Sequence, residues 1–227
     1  LIYGSSLDQY RDFIYQTVEY TLNNDLAEFL TSSTSTFDIG DGVYYITENF
    51  PQITDKDTAH TIKGKSNGTI NAGGNTVFNV SEDVTFNISD LNIYNTAKSE
   101  YAVLKNQGGT VTFKNSVISA GTDLSNAAIY NGSGGTLTLN SVYLVDNASL
   151  GTTGGAIFND GGGILNLNGV TFIKNTTAGT NYSGALYNIG TANLSGTNYF
   201  GKSNGTANGI YSAGTINITE GNTYVYA

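Results

Sequence analysis

The sequence predicts an all-β fold, a right-handed parallel β-helix with an α-helical cap at its N-terminal end. Three observations predict it. Short runs of alternating apolar and polar residues recur at a near-constant interval beyond about residue 60. A second motif, ending in Asn, travels with each run. Gly and Asn crowd into that repeating part: residues 1–60 hold only three Asn and three Gly, whereas the whole chain of 227 residues holds 29 Gly. Self-similarity at such a period is the mark of a solenoid, in which a unit too small to bury its own apolar face stacks on copies of itself.

The composition shift divides the chain into an N-terminal unit, 1–60, and a repeat unit, 61–227. In the first, Leu7, Tyr10, Ile14, Val18, Leu22, Leu26, Phe29 and Leu30 step by three or four, the spacing of one helix face. Ser6 and Gln9 fit a capping box, and Asn23, Asn24 and Asp25 mark a break into two helices. "GVYYITENF", 42–50, reads as a strand ended by Pro51. The helix is well placed to cover one open end of the coil, whose strand edges are otherwise unpaired.

In the second unit the pairs Val84/Phe86, Val111/Phe113, Leu137/Leu139, Leu165/Leu167, Ala192/Leu194 and Ile216/Ile218 fall on one strand face. Their first members are separated by 27, 26, 28, 27 and 24 residues. Thr85, Thr112, Thr138, Asn166, Asn193 and Asn217 occupy the opposite, watery face. The three Thr form a ladder of the kind seen in ice-binding solenoids, but it lapses into Asn and the coils vary in length, which argues against a lattice match. The companion motif ends at Asn106, Asn131, Asn159, Asn188 and finally Ser212. A further Asn follows 16 residues later in the pairs Asn79 to Asn95, Asn131 to Asn147 and Asn159 to Asn175.

A coil of three short strands and three turns uses up the repeat, and stacked coils place like residues about 4.8 Å apart. An Asn at a strand-ending bend then tolerates a left-handed backbone, while its amide both donates and accepts toward the Asn of the next coil. Gly154 and Gly155 precede the apolar triplet where a Cβ would obstruct the turn. An antiparallel sandwich has no reason to repeat one motif in aligned register.

"GGAIFN" followed by "FIKN", within 154–175, resembles the paired repeats of polymorphic outer membrane proteins, whose passengers are autotransporter β-helices of the pectin-lyase-like class. "GALYN", "AAIYN" and "LVDN" are similar to degenerate halves of the same motifs, and the likeness covers roughly 61–227. The likeness is to the passenger part alone, so the segment 61–227 is expected to be coil without the membrane barrel of an autotransporter. The resemblance implies an extracellular or cell-surface adhesin, a segment of a longer chain and itself monomeric, with a host-cell or surface protein or glycan as partner.

Composition narrows the chemistry. A formal net charge of -9 with a single Arg repels phosphate backbones, so nucleic acid is not an expected partner. No apolar run approaches the length of a membrane span, so this segment is not expected to insert. Without Cys there is neither a disulfide nor a thiolate metal site. A β-helix hydrolase needs two carboxylates facing one scissile bond. The acids beyond residue 75 (Glu82, Asp83, Asp90, Glu100, Asp123, Asp146, Asp160 and Glu220) do not align between repeats, and a lyase would want a cationic base where the coils have no Arg. Asp146 and Lys174 align and read as an exposed ion pair. His60, the only histidine, reads as a surface or capping residue, and "DGGG" at 160–163 lacks the period of calcium-binding repeats. No catalytic residue, metal or cofactor is therefore expected.

Binding remains. If the Asn and the preceding Ile point inward in "AIFN" and its relatives, Leu104, Tyr130, Phe158, Tyr187 and Tyr211 form an outward stripe able to stack on sugar rings or apolar partners; equally, the rings can stack on one another. The variable loops at 121–126, 148–153 and 176–183 lie on one side, and Tyr182 in the last of them joins the candidate contacts. A carbohydrate-active enzyme and a structural spacer of a surface fibre are the alternatives to an adhesin.

Overall fold

The structure, a computed structural model, describes residues 23–46, 48–65, 67–95, 101–120, 126–151, 154–178, 183–201 and 209–226. Every strand pairing is parallel, and the strands form three long sheets of eight, eight and six strands plus a two-stranded one. One coil illustrates the path. Thr136–Asn140 lies in the first sheet, Tyr143–Val145 in the second and Ile157–Asn159 in the third, and Ile164–Asn168 returns to the first sheet beside Thr136–Asn140. Six coils contribute a strand to all three long sheets, and partial coils flank them at either end. Leu137, Leu165 and Ala192 sit over one another in register, as a wound parallel backbone requires.

Alternation builds the core. In five-residue strands such as Thr136–Asn140 the second and fourth side chains are buried and the others face out. The inward columns of all three sheets meet in one continuous apolar interior, in which Phe78 meets Phe86 edge-on with ring centroids 4.9 Å apart and Phe172 stacks on Phe200 at 4.6 Å. At the bend between the first and second sheets one residue per coil takes a left-handed conformation: Asp90, Asn115, Ser141, Gly169, Gly196 and Gly221. A single residue with positive φ turns the strand through the corner and returns the next side chain (Leu91, Val142 and Val170 among them) to the interior.

Four expectations change. The apolar pair of the second complete coil is Phe86/Ile88, not Val84/Phe86, because Phe86 stands beside Val111 and Ile88 beside Phe113. A slip of two residues keeps the same face inward, so the alternation itself could not reveal it. The Thr positions move with it: Thr85, Thr110 and Thr136 share one column, while Thr112 and Thr138 follow Asn87. The strand read at 42–50 is confined to Val43–Tyr45, since the second sheet turns a corner after three residues in every coil. The ladder Asn residues do not carry positive φ; at the second Asn motif the left-handed residue is the one before, Asp146 or Lys174. These two side chains, aligned as expected, form no ion pair with each other; the described ion pairs are Lys56 with Asp83 and Lys63 with Asp38, and His60 Nε2 lies 3.4 Å from Asp55 Oδ2.

The coil path begins inside the N-terminal unit, for Thr36–Gly40 already pairs with His60–Gly64. Before it, helix α1 (Asn23–Thr31) buries Leu26, Phe29 and Leu30 against the first coils. Leu7 through Leu22 and the Ser6/Gln9 box lie outside the described residues. His60 proves to be a capping residue and not a surface one. It is fully buried, stands in the interior column beside Phe86, and meets the Phe29 ring edge-on at 5.5 Å. At the other end the last coil is open: Ile218 is 61% exposed where its inner neighbour Leu194 is 1% exposed.

Candidate binding faces

Each strand of the third sheet is three residues long, so two side chains point in and one points out. The inward pair is an aliphatic residue and, in four successive coils, an Asn: Leu104 with Asn106, Ile129 with Asn131, Ile157 with Asn159, Leu186 with Asn188. The amides form a continuous buried ladder. Asn106 Nδ2 donates to Asn131 Oδ1 at 2.8 Å, Asn131 to Asn159 at 2.8 Å, Asn159 to Asn188 at 2.7 Å, and Asn188 to Ser212 Oγ at 2.9 Å. A second ladder joins Asn147 to Asn175 at 2.7 Å. Asn79 does not belong with these residues, because Val80 occupies the position opposite Asn106 and Asn79 faces outward with Lys105. A Gly column closes over the first ladder: a Cβ on Gly135 or Gly163 would lie 2.7 Å from the Asn amide atoms. Sequence reading missed this column, although "GG" recurs immediately before the strands of the first sheet at 108–109, 134–135 and 162–163.

The ladder fixes what faces outward. Lys105, Tyr130, Phe158, Tyr187 and Tyr211 occupy the outward register in successive coils. Leu104 is not in the stripe; it is buried beside Ile129, and Lys105 takes the place expected for it. Aligning "AVLKN" with "AAIYN" by their shared Asn would have shown this. Tyr101, which sequence reading also missed, extends the stripe toward the N-terminal end.

The rings run on without a break. Centroid separations are 4.7 Å for Tyr101 and Tyr130, 5.4 Å for Tyr130 and Phe158, 5.4 Å for Phe158 and Tyr187, and 4.7 Å for Tyr187 and Tyr211. Lys105 Nζ lies 5.8 Å from the Tyr101 ring centre, within cation–π range. Tyr130 Oη donates to Asp160 Oδ2 at 2.8 Å. The three middle rings are half-buried against each other, and Tyr211 is 38% exposed. Tyr182 lies outside the described residues.

The other two sheets present faces of different character. On the first, outward Asn and Thr form their own ladder: Asn217 Nδ2 donates to Asn193 Oδ1 at 2.9 Å, Asn193 to Asn166 at 2.9 Å, and Asn166 to Thr138 Oγ1 at 3.2 Å. On the second, Tyr94, Tyr143, Tyr199 and Tyr224 are exposed, and Tyr199 stacks on Tyr224 at 5.2 Å. Desolvation by its surroundings raises the Tyr94 phenol above its ordinary value. Sequence reading missed this tyrosine face, because no recurring Asn stands beside its three-residue strands as one does in the third sheet.

The carboxylates are scattered over corners and turns. Asp160 has its oxygens engaged by Tyr130 Oη and the Gly161 N–H, and Asp90 accepts from Asn115 Nδ2 at 3.1 Å. That last pair lines a depression of about 230 Å³ at the corner between the first and second sheets. Among the described residues no three His, Asp or Glu side chains gather into a metal-ion cluster. No helix among them is long and apolar enough to cross a membrane. No family model matches the chain, and neither do any curated protein or solved structure.

Proposed function

We propose that this β-helix is a non-enzymatic, adhesin-like module, displayed on a cell surface or secreted in the manner of an autotransporter passenger, that presents its faces to host-cell or surface proteins or glycans. The observation that carries the reading is the unbroken row of five rings on the third sheet, held at ring-to-ring spacings of 4.7 to 5.4 Å by a buried amide ladder. A rigid row of aromatic edges offers many weak contacts at fixed intervals, and affinity accumulates when a repetitive partner engages several of them together.

The test is binding of the whole chain to cell surfaces and to glycan and protein panels, against a variant with Tyr130, Phe158 and Tyr187 replaced by Ala. Loss of signal in the variant is the expected result. Release of reducing sugar or unsaturated uronate from a polysaccharide would refute the reading in favour of a carbohydrate-active enzyme. Mutual stacking of the rings supports a second reading, a structural spacer; on that reading wild type binds none of the panel and the triple variant is merely less stable.

A further inference from the structure

The second sheet turns outward a face unlike the rest of the molecule. None of the residues in its eight strands is charged, in a chain whose formal net charge is -9. Tyr143 is 50% exposed there, Tyr199 and Tyr224 are exposed with it, and Val117, Val145 and Ile173 are half-buried beside them. An exposed apolar face of this kind marks a contact surface. Copies of so acidic a chain repel one another, and least where a face carries no charge.

The order of side chains along the face says what fits it. In one outward column Asn92, Val117, Tyr143, Thr171, Tyr199 and Tyr224 follow one another coil by coil. A two-fold axis lying in the plane of the face, along the strands and between Tyr143–Val145 and Thr171–Ile173, reverses that order in a second copy. Tyr143 then comes opposite Thr171 of the second copy, Tyr199 opposite its Val117 and Tyr224 opposite its Asn92. Each ring of the column meets a smaller side chain, the interdigitation by which two sheets pack about 10 Å apart. The edges of the face agree with the same axis. Asp146 and Lys174 follow Val145 and Ile173 at one corner, in the two central coils, and make no ion pair with each other within the chain. The axis sets Asp146 of each copy against Lys174 of the other. On the opposite edge the four central corners are Asn115, Ser141, Gly169 and Gly196, all without charge.

We propose that this face joins two copies of the chain side by side, with their rods antiparallel, where the resemblance of the repeats implies a single copy. The contact runs over six strands of each copy, about 29 Å along the rod. That is small for a stable dimer, so the association is reversible and depends on concentration.

Sedimentation of the whole chain from nanomolar to high micromolar concentration, at low ionic strength, reads the mass directly. It should rise from 23.9 kDa toward twice that value. Tyr143→Lys places a charge of each copy beside the axis and should keep the chain monomeric throughout. Asp146→Lys turns two attractions into repulsions and should weaken the dimer by about tenfold. Adding Lys174→Asp to it should restore the wild-type affinity. Both corners hold φ at 52° and already accept either residue, so these exchanges keep the fold, which circular dichroism checks. A wild type that stays monomeric up to high micromolar concentration overturns the proposal, even if a neutral glycan is found to bind this face. So does a dimer that Tyr143→Lys leaves intact, or one in which the double exchange fails to relieve the single reversal.

Discussion

The buried amide ladder makes the sharpest prediction, and Asn159 is the place to test it. Its Nδ2 donates to Asn188 Oδ1 at 2.7 Å, to the Thr191 carbonyl at 3.2 Å and to the Gly163 carbonyl at 3.3 Å, and its Oδ1 accepts from Asn131 Nδ2 at 2.8 Å. Asn159→Ala removes all four contacts from a site closed to solvent. Asn131 Nδ2 keeps the carbonyls of Gly135 and Ile164, so the donor side is partly compensated. Asn188 Oδ1 has no replacement, and the two carbonyls lose a donor. With about 1–3 kcal/mol for a buried group left unsatisfied, and the longer contacts counted at the low end, the substitution should cost about 3–5 kcal/mol. Urea unfolding gives the total. Since coils touch only their neighbours, amide exchange should place the loss in the coils of Asn131, Asn159 and Asn188 and spare the coil of Phe86. A cost below about 1 kcal/mol, or one spread evenly along the chain, would refute the idea that the ladder is a chain of mutually dependent bonds.

Other outcomes follow from the same geometry. Leu165→Ala should destabilise by about 2–5 kcal/mol, whereas Asn166→Ala, one residue on but facing outward, should stay within about 1 kcal/mol, both by urea titration. Gly155→Ala should cost about 3 kcal/mol or prevent folding, because a Cβ there would collide with the carbonyls of Thr176, Asn147 and Gly184; circular dichroism and unfolding would show it. Asp38 is held below the usual carboxylate range by the Gly40 N–H first and Lys63 second, so its small contribution exists above the ordinary carboxylate value and fades as pH falls through the folded one. Asp38→Asn should therefore lower stability slightly at neutral pH, leave it unchanged in acid, and so flatten the acid limb of a stability–pH profile.

Much of this fold was legible because its signals repeat. Alternation at Leu137/Leu139 and Leu165/Leu167 fixes the inward face, and recurrence fixes the stacking. Register within a face was less legible: alternation has period two, so Val84 and Ile88 are equivalent choices until a neighbour decides. The ladder Asn were read correctly as an axial amide chain and incorrectly as left-handed corners. The sequence "DN" and "KN" at 146–147 and 174–175 divides the two roles between neighbours, the first residue turning the chain and the second bonding along the axis. The aromatic stripe was legible where each ring precedes an Asn. Tyr101 and the tyrosines of the second sheet were not, because no recurring landmark stands beside them. The burial of His60 was invisible, since it depends on Phe29 and Phe86, which folding alone brings to the ring.

The parallel ladders have a mechanical consequence. Every inter-coil hydrogen bond in the three long sheets points along the rod, so tension between the two ends loads each of them in line. A coil that gives way frees about 26 residues, up to roughly 85–95 Å of extended chain, in place of a rise of about 4.8 Å. Such a rod lengthens in discrete steps under load, and the coils that have not yet opened keep their shape.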